Sequence, residues 1–136
     1  MPHIHSLIHN EKILIVDDKL ANVLLIKEIL AREGFRNLET QTNSTLASRQ
    51  IRNEGWDLIL LDLCMPEVSG FDILEQIKDK VKDTFFPVLV ITAQCDTESR
   101  ARALSQGAKD FISKPIEATE LVLRVKNLLE TGLLYK

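Results

Sequence analysis

Apolar residues in this chain fall into two kinds of stretch that alternate. One kind is a short unbroken aliphatic run: Ile13-Leu14-Ile15-Val16, Leu58-Ile59-Leu60-Leu61, and Phe86 to Ile91 across Pro87. Runs of this length without polar alternation suit strands buried on both faces, as in parallel sheets covered by helices. Leu38 to Thr42 is a more polar strand candidate, and Asp110 to Ser113 is a short fifth one. In the other kind, apolar positions recur at helical spacing. Leu20, Val23, Leu24, Ile26 and Leu30 make the first such stripe, stopped by Gly34. A second helix capped by Asn43 or Ser44 runs to Asn53 and stops at Gly55. Phe71, Leu74, Ile77 and Val81 mark a third, and a fourth is capped by Asp96 or Thr97 and closes at Gly107. The last begins near Glu117 and carries Leu121, Val125, Leu128 and Leu129.

Strand and helix thus alternate five times, with no hairpin signal. Strict alternation implies right-handed crossovers and a parallel sheet with helices on both faces. The two least apolar strands, second and fifth, suit the edges. The expected fold is therefore α/β and doubly wound, flavodoxin-like, with strand order 2-1-3-4-5 and its switch point between strands one and three.

Composition narrows this picture without changing it. The 136 residues are 45% hydrophobic and 27% charged, the balance of one ordinary globular domain. A formal charge of −3 gives no electrostatic case for direct nucleic-acid binding. No apolar run approaches the roughly 20 residues that span a bilayer, and the first residues lack the basic start and apolar core of a signal peptide. Cys64 and Cys95 form no spacing motif and read as free thiols. The expectation is a cytoplasmic domain with no membrane contact. His3, His5 and His9 offer a His-x-His spacing, but at a chain end, where an ordered metal frame is unusual.

Chemistry collects where the strands end. The first strand runs into Asp17-Asp18, the third into Asp62, the fourth into Thr92 and the fifth into Lys114. In a parallel sheet these ends share one edge, with neighbouring strands about 4.8 Å apart. Clustered carboxylates repel one another and call for a cation. Acids, carbonyls and water suit a hard ion, so Mg²⁺ is the expected cofactor. A carboxylate beside Mg²⁺ and Lys114 is equipped to attack phosphorus, with Thr92 donating to a further anionic oxygen. Asp62, Lys114 and Thr92 are thus the expected catalytic set.

These pieces carry a resemblance. Ile15-Val16-Asp17-Asp18, Leu61 to Pro66 with Gly70 beyond, Ile91-Thr92-Ala93, and Gly107-Ala108 through Phe111 to Lys114-Pro115 together resemble the receiver domain of two-component response regulators, the CheY-like phosphoacceptors. The resemblance covers roughly Lys12 to Glu130. It implies an N-terminal arm over 1–11, a receiver over 12–130, and a C-terminal extension of the last helix over 131–136. It further implies that Asp62 is phosphorylated by a histidine kinase or a histidine phosphotransfer protein. Mg²⁺ would be held by Asp17, Asp18, Asp62 and the main-chain carbonyl of Cys64. Thr92 and Phe111 would form the switch pair, Phe111 turning from a more exposed to a more buried rotamer, and Lys114-Pro115 would be a cis peptide. Such a module is not an enzyme toward other molecules, although it catalyses its own phosphorylation and dephosphorylation. The readout would be an output domain or a homodimer through the face made by helix 4, strand 5 and helix 5, including Arg100, Lys109 and Arg124, with Leu128, Leu129, Leu133 and Leu134 as the dimer stripe. The last helix is similar to the exit helix of regulators that precede cyclic-dinucleotide enzymes, so the expectation is a stand-alone receiver or, in preference, an excised N-terminal domain.

Three positions depart from the family's habit or tune it. Lys19 stands where an acid or amide is common and either reaches the acids or points to solvent. Cys64 and Gln94 occupy the positions that flank the phosphoryl group in this family. Two rival readings exist. A haloacid-dehalogenase-type phosphatase needs a second acid two residues after the nucleophile, where this chain has Cys64. A degenerate receiver that only binds partners would not need the complete set of acids, Thr92 and Lys114.

Overall fold

The computed structural model describes residues 7–78, 85–94 and 96–135. Its elements follow the hydrophobic pattern closely. They are β1 (Lys12–Val16), α1 (Leu20–Arg32), β2 (Asn37–Gln41), α2 (Ser44–Asn53), β3 (Leu58–Leu61), α3 (Gly70–Gln76), β4 (Val88–Thr92), α4 (Thr97–Ser105), β5 (Asp110–Ser113) and α5 (Ala118–Leu133). The sheet is five-stranded in the order β2-β1-β3-β4-β5, and every pairing is parallel. The expected topology is therefore the observed one, with β2 and β5 at the edges.

Period-two alternation within the buried strands splits the core in two. Leu14, Val16, Ile59, Leu61, Val88, Val90 and Phe111 face one side, where α2, α3 and α4 supply Ala47, Ile51, Ile73, Leu74 and Ala103. Ile13, Ile15, Leu58, Leu60, Leu89, Ile91 and Ile112 face the other, against Val23, Ile26 and Leu30 of α1 and Leu121, Val125, Leu128 and Leu129 of α5. Polar caps close the helices where expected: the Asn43 side chain accepts the Leu46 N–H, Asp96 accepts that of Ser99, and Glu117 accepts those of Thr119 and Glu120.

Two apolar stripes are narrower in the structure than their spacing predicts. Leu20 and Leu24 in α1 are 61% and 50% exposed, because the buried face turned to the sheet is made by Val23, Ile26 and Leu30. Leu128 and Leu129 are unavailable as a dimer contact, since both are buried in the core and Leu133 lies partly buried against it. Of that proposed stripe Leu134 alone faces out, at 80% exposed. Val81, expected to continue the third helix, lies outside the described residues, as do His3, His5 and Cys95.

Both ends of the described chain are tied to the body. Ile8 is fully buried in the α1–α5 half of the core, and the His9 carbonyl accepts the Arg36 N–H at 3.0 Å. The His9 ring meets Phe35 edge-on at 5.1 Å, so this histidine is engaged in packing. At the far end Gly132 lies beneath the Phe85 ring, where an added Cβ would sit 3.6 Å from it, and Tyr135 stacks on the same ring at 4.8 Å. Replacing Ile8 by Ala should lower the unfolding free energy by roughly 2–4 kcal/mol, the cost of an emptied core site. Urea denaturation measures this; an unchanged midpoint would mean that the segment before β1 is no part of the cooperative unit.

Candidate functional site

Strand register builds the site. Val16 pairs with Leu61, and the Asp62 N–H donates to the Val16 carbonyl at 3.0 Å, so Asp17 and Asp62 leave adjacent strands side by side. Asp18 completes the group: carboxylate oxygens of Asp17, Asp18 and Asp62 all lie within 4.8 Å of one another. Lys114 arrives from β5, anchored where its N–H donates to the Thr92 carbonyl at 3.0 Å. Its Nζ lies 2.7 Å from Asp17 Oδ2 and 3.0 Å from Asp62 Oδ2, bridging the two buried acids. Burial by itself would pull the Lys114 ammonium down in pKa. Hydrogen bonds and charge from Asp17 and Asp62 outweigh that and hold it above the ordinary lysine value.

Asp17 is held from three sides. Its Oδ1 accepts the Lys19 main-chain N–H at 2.9 Å, and its Oδ2 accepts Asn22 Nδ2 at 3.1 Å beside Lys114. The Lys19 side chain is exposed, so its main chain and not its charge meets the acid pair. Asn22 is a site residue that the hydrophobic pattern passed over. Its only signal is position: five residues after Asp17, in the first turn of a helix that starts at the strand exit.

The segment after Asp62 is held tightly. The Cys64 N–H donates to Asp62 Oδ1 at 3.2 Å. Ser44 Oγ donates to the Pro66 carbonyl at 2.9 Å and accepts the Val68 N–H at 3.3 Å, steadying the turn in which Glu67 takes a φ of 67°. Ser69 and Asp72 cap α3 reciprocally. Gly70 then passes so close to β3 that an added Cβ would lie 2.3 Å from the Asp62 carbonyl oxygen and 2.7 Å from Leu63 Cα. No side chain fits there.

On the β4 side, Thr92 is fully buried at the end of its strand, and its Oγ1 accepts the Gln94 N–H at 3.2 Å. Cys64 Sγ meets Gln94 Oε1 at 2.8 Å, joining the loops that follow β3 and β4. The Lys114–Pro115 peptide is cis. Phe111 requires a correction. It was expected to start exposed and turn inward, yet here it is 4% exposed, packed in the core with the Arg100 guanidinium 5.1 Å above its ring. In this conformation it has no outward position to leave. On the same face Arg124 pairs with Asp110 at 3.2 Å and Glu120 at 3.8 Å, while Lys109 lies 5.9 Å from the Phe85 ring.

The donor set fits a hard divalent cation. All three clustered side chains offer oxygen, and three carboxylates face one ammonium, leaving the group net negative.

Residues 13–126 match the family model of the response regulator receiver domain. Among curated proteins the chain is similar to the regulatory protein VanRc of Enterococcus gallinarum, 38% identical over 88% of this chain and 50% of that protein. It is also similar to the phosphate regulon transcriptional regulatory protein PhoB of Escherichia coli, 34% identical over 87% of this chain and 51% of that protein. The chain thus spans about half the length of these relatives. Among solved structures, a CheY-like response regulator receiver domain protein from Methanospirillum hungatei superposes with a TM-score of 0.83 at 27% identity, covering 91% of this chain and 97% of that one. The beryllofluoride-activated DrrB receiver domain gives 0.78 at 28% identity, covering 89% and 98%.

Two outcomes are expected from this geometry. Gly70→Ala must push α3 away from the Asp62 backbone and should cost about 1–3 kcal/mol of stability, read by urea denaturation; an unchanged midpoint would show that α3 withdraws freely. The second concerns pH. A lysine whose folded pKa is raised contributes stability that is whole below its unfolded value of about 10.4 and is lost as pH climbs through the folded value. The stability gap between the native protein and Lys114→Met should therefore be constant near neutrality and shrink above that pH. A gap that widens in alkali would contradict the bridge.

Proposed function

The chain belongs to the response regulator receiver family, and on that basis we propose that Asp62 is the phosphoacceptor of a two-component phosphorelay, loaded by a histidine kinase or a histidine phosphotransfer protein. The observation that carries this reading is the state of the Asp62 carboxylate. It is buried at 4% exposure, with Oδ1 on the Cys64 N–H and Oδ2 on the Lys114 ammonium. Both partners are donors, and a carboxylate used as nucleophile has no proton that a general base must remove.

In the transfer step an Asp62 oxygen forms a bond to phosphorus while the bond from phosphorus to the donor nitrogen breaks, the electron pair leaving with the imidazole. Lys114 stands ready to counter one anionic oxygen of the transferred group, and the Thr92 hydroxyl to donate to another. Asp17, Asp18, Asp62 and the Cys64 main-chain carbonyl would hold Mg²⁺, which when bound supplies charge neutralisation of the phosphoryl oxygens. Asn22 and the Lys19 N–H keep Asp17 oriented for that role. Cys64, engaged with Gln94, offers no second acid of the kind a haloacid-dehalogenase-type phosphatase uses.

The receiver unit is read as 12–130, with an N-terminal arm over 1–11 and a helix extension over 131–136, working in the cytoplasm. Its output would run through the face made by α4, β5 and α5, to an attached domain or a second copy, with Thr92 and Phe111 as the pair that responds. A phosphorylated Asp62 shifts this face only by its differential affinity for two conformations, so the response is a population change. Direct nucleic-acid contact by this domain is not part of the reading.

Incubation with acetyl phosphate and Mg²⁺ should add one hydroxylamine-labile phosphoryl group, seen by intact mass. Asp62→Asn should abolish it; a labelled Asp62→Asn protein would sink the assignment.

A further inference from the structure

At the edge of the sheet opposite the acids lies a cavity of about 90 Å³, bounded by four separate parts of the chain. Trp56, just before β3, and Leu129 of α5 form its deep end, at 6% and 2% exposed. Phe85, ahead of β4, stacks on Tyr135, just past α5, with 4.8 Å between centroids and 12° between planes. This pair walls the solvent side, where Tyr135 is 68% exposed. Glu11, ahead of β1, and Asp57, ahead of β3, bring two carboxylates to the same lining.

The lining decides what such a space can take. The Trp56 indole N–H already donates to the Gln50 carbonyl at 2.9 Å, so that ring has no donor left for the cavity. Aromatic faces are negative, as are the two carboxylates, and an anion is repelled. A hard metal ion seeks about six oxygens, whereas most of this lining is carbon. A neutral apolar molecule would cover the carboxylates without offering them a donor, which costs free energy. An alkylammonium ion meets both halves of the lining. Its carbons pack on the rings, its charge is drawn to their faces, and its N–H groups donate to the carboxylates. Ammonium groups already sit on two of these rings from outside the lining: Lys12 Nζ lies 4.5 Å from the Trp56 centroid and Lys109 Nζ 5.9 Å from that of Phe85. Asp57 Oδ2 accepts the Lys12 main-chain N–H at 2.8 Å. A carboxylate has about four acceptor sites, so a further donor is accommodated beside the bonds that Asp57 and Glu11 make. A water molecule takes up about 30 Å³, which gives this cavity room for roughly three or four non-hydrogen atoms.

We infer that the cavity is a binding site for a small alkylammonium ion, with Glu11 and Asp57 taking the nitrogen and Trp56, Phe85, Leu129 and Tyr135 the carbons. The site stands at the far rim of the sheet from Asp62 and does not depend on the reading of Asp62 as the phosphoacceptor. A bound amine touches the foot of α5 and the approaches to β3 and β4 together. Only the folded chain offers that set of contacts, so binding raises stability.

The test titrates the full chain with propylammonium chloride and reads the fluorescence of Trp56, its single tryptophan. Sodium chloride at equal ionic strength and 1-propanol, the neutral analogue, are the controls. The amine should give a saturable change with a Kd on the order of 1 mM, as suits a ligand of so few atoms. It should also raise the urea midpoint in step with occupancy, and 1-propanol should bind about tenfold more weakly. Glu11→Gln keeps the shape and removes the charge; it should weaken the amine about tenfold and leave 1-propanol unchanged. Tyr135→Ala, at an exposed position outside the core, should weaken the amine about threefold. The urea midpoint of each variant without amine checks that it is folded. A response shared with sodium chloride, equal binding of 1-propanol, or parental affinity in both variants overturns the site.

Discussion

The bridge from Asp17 through Lys114 to Asp62 is the interaction on which the rest of this structure turns. Two buried carboxylates brought together on neighbouring strands repel. The ammonium between them, 2.7 Å from one and 3.0 Å from the other, offsets that repulsion by pairing with both. That arrangement needs three strands in register, β1 and β3 adjacent and β5 placing Lys114 past the end of β4. A one-residue slip in any pairing would turn its side chains to the opposite face. The aliphatic runs that fix the register are therefore as much a part of the site as the acids.

Much of this was legible in the sequence because burial on both faces leaves a strand no choice of composition. Unbroken runs marked β1, β3 and β4, more polar ones marked the edges, and the residue after each run marked the site. Helical stripes were less exact. Leu20 and Leu24 share the spacing of Val23, Ile26 and Leu30 but lie outside the face that meets the sheet. Leu128 and Leu129, read as a surface for a partner, are core, since one helix cannot turn the same stripe both inward and outward. Phe111, expected to start more exposed, is packed in the core beneath Arg100.

What the sequence could not disclose is polar contact between distant residues. Asn22 touching Asp17, Ser44 steadying the turn at Pro66, and Ser99 gripping Gln94 leave no periodic trace. Hydrogen bonds are directional and pairwise, so they become visible only once the backbone has placed both partners. Gly70 lies between these cases. A glycine after Pro66 is readable as a loop residue, but only the approach of α3 to the Asp62 carbonyl says why nothing larger fits.

The way α5 is fastened has a mechanical consequence. At the acid-bearing edge the helix starts from the Glu117 cap, three residues beyond Lys114. At the opposite edge it is pinned where Gly132 nestles under Phe85 and Tyr135 lies flat on that ring. Its 16 residues make a rod of about 24 Å at ~1.5 Å per residue. A rod with a fixed foot behaves as a lever. A shift of about 1 Å at its head tilts it by about 2°, and because interior side chains are close-packed, that tilt must be taken up along the α1 contact as sliding. Phe85 would then serve as the fulcrum, converting an electrostatic event at one rim of the sheet into a turning motion about the other.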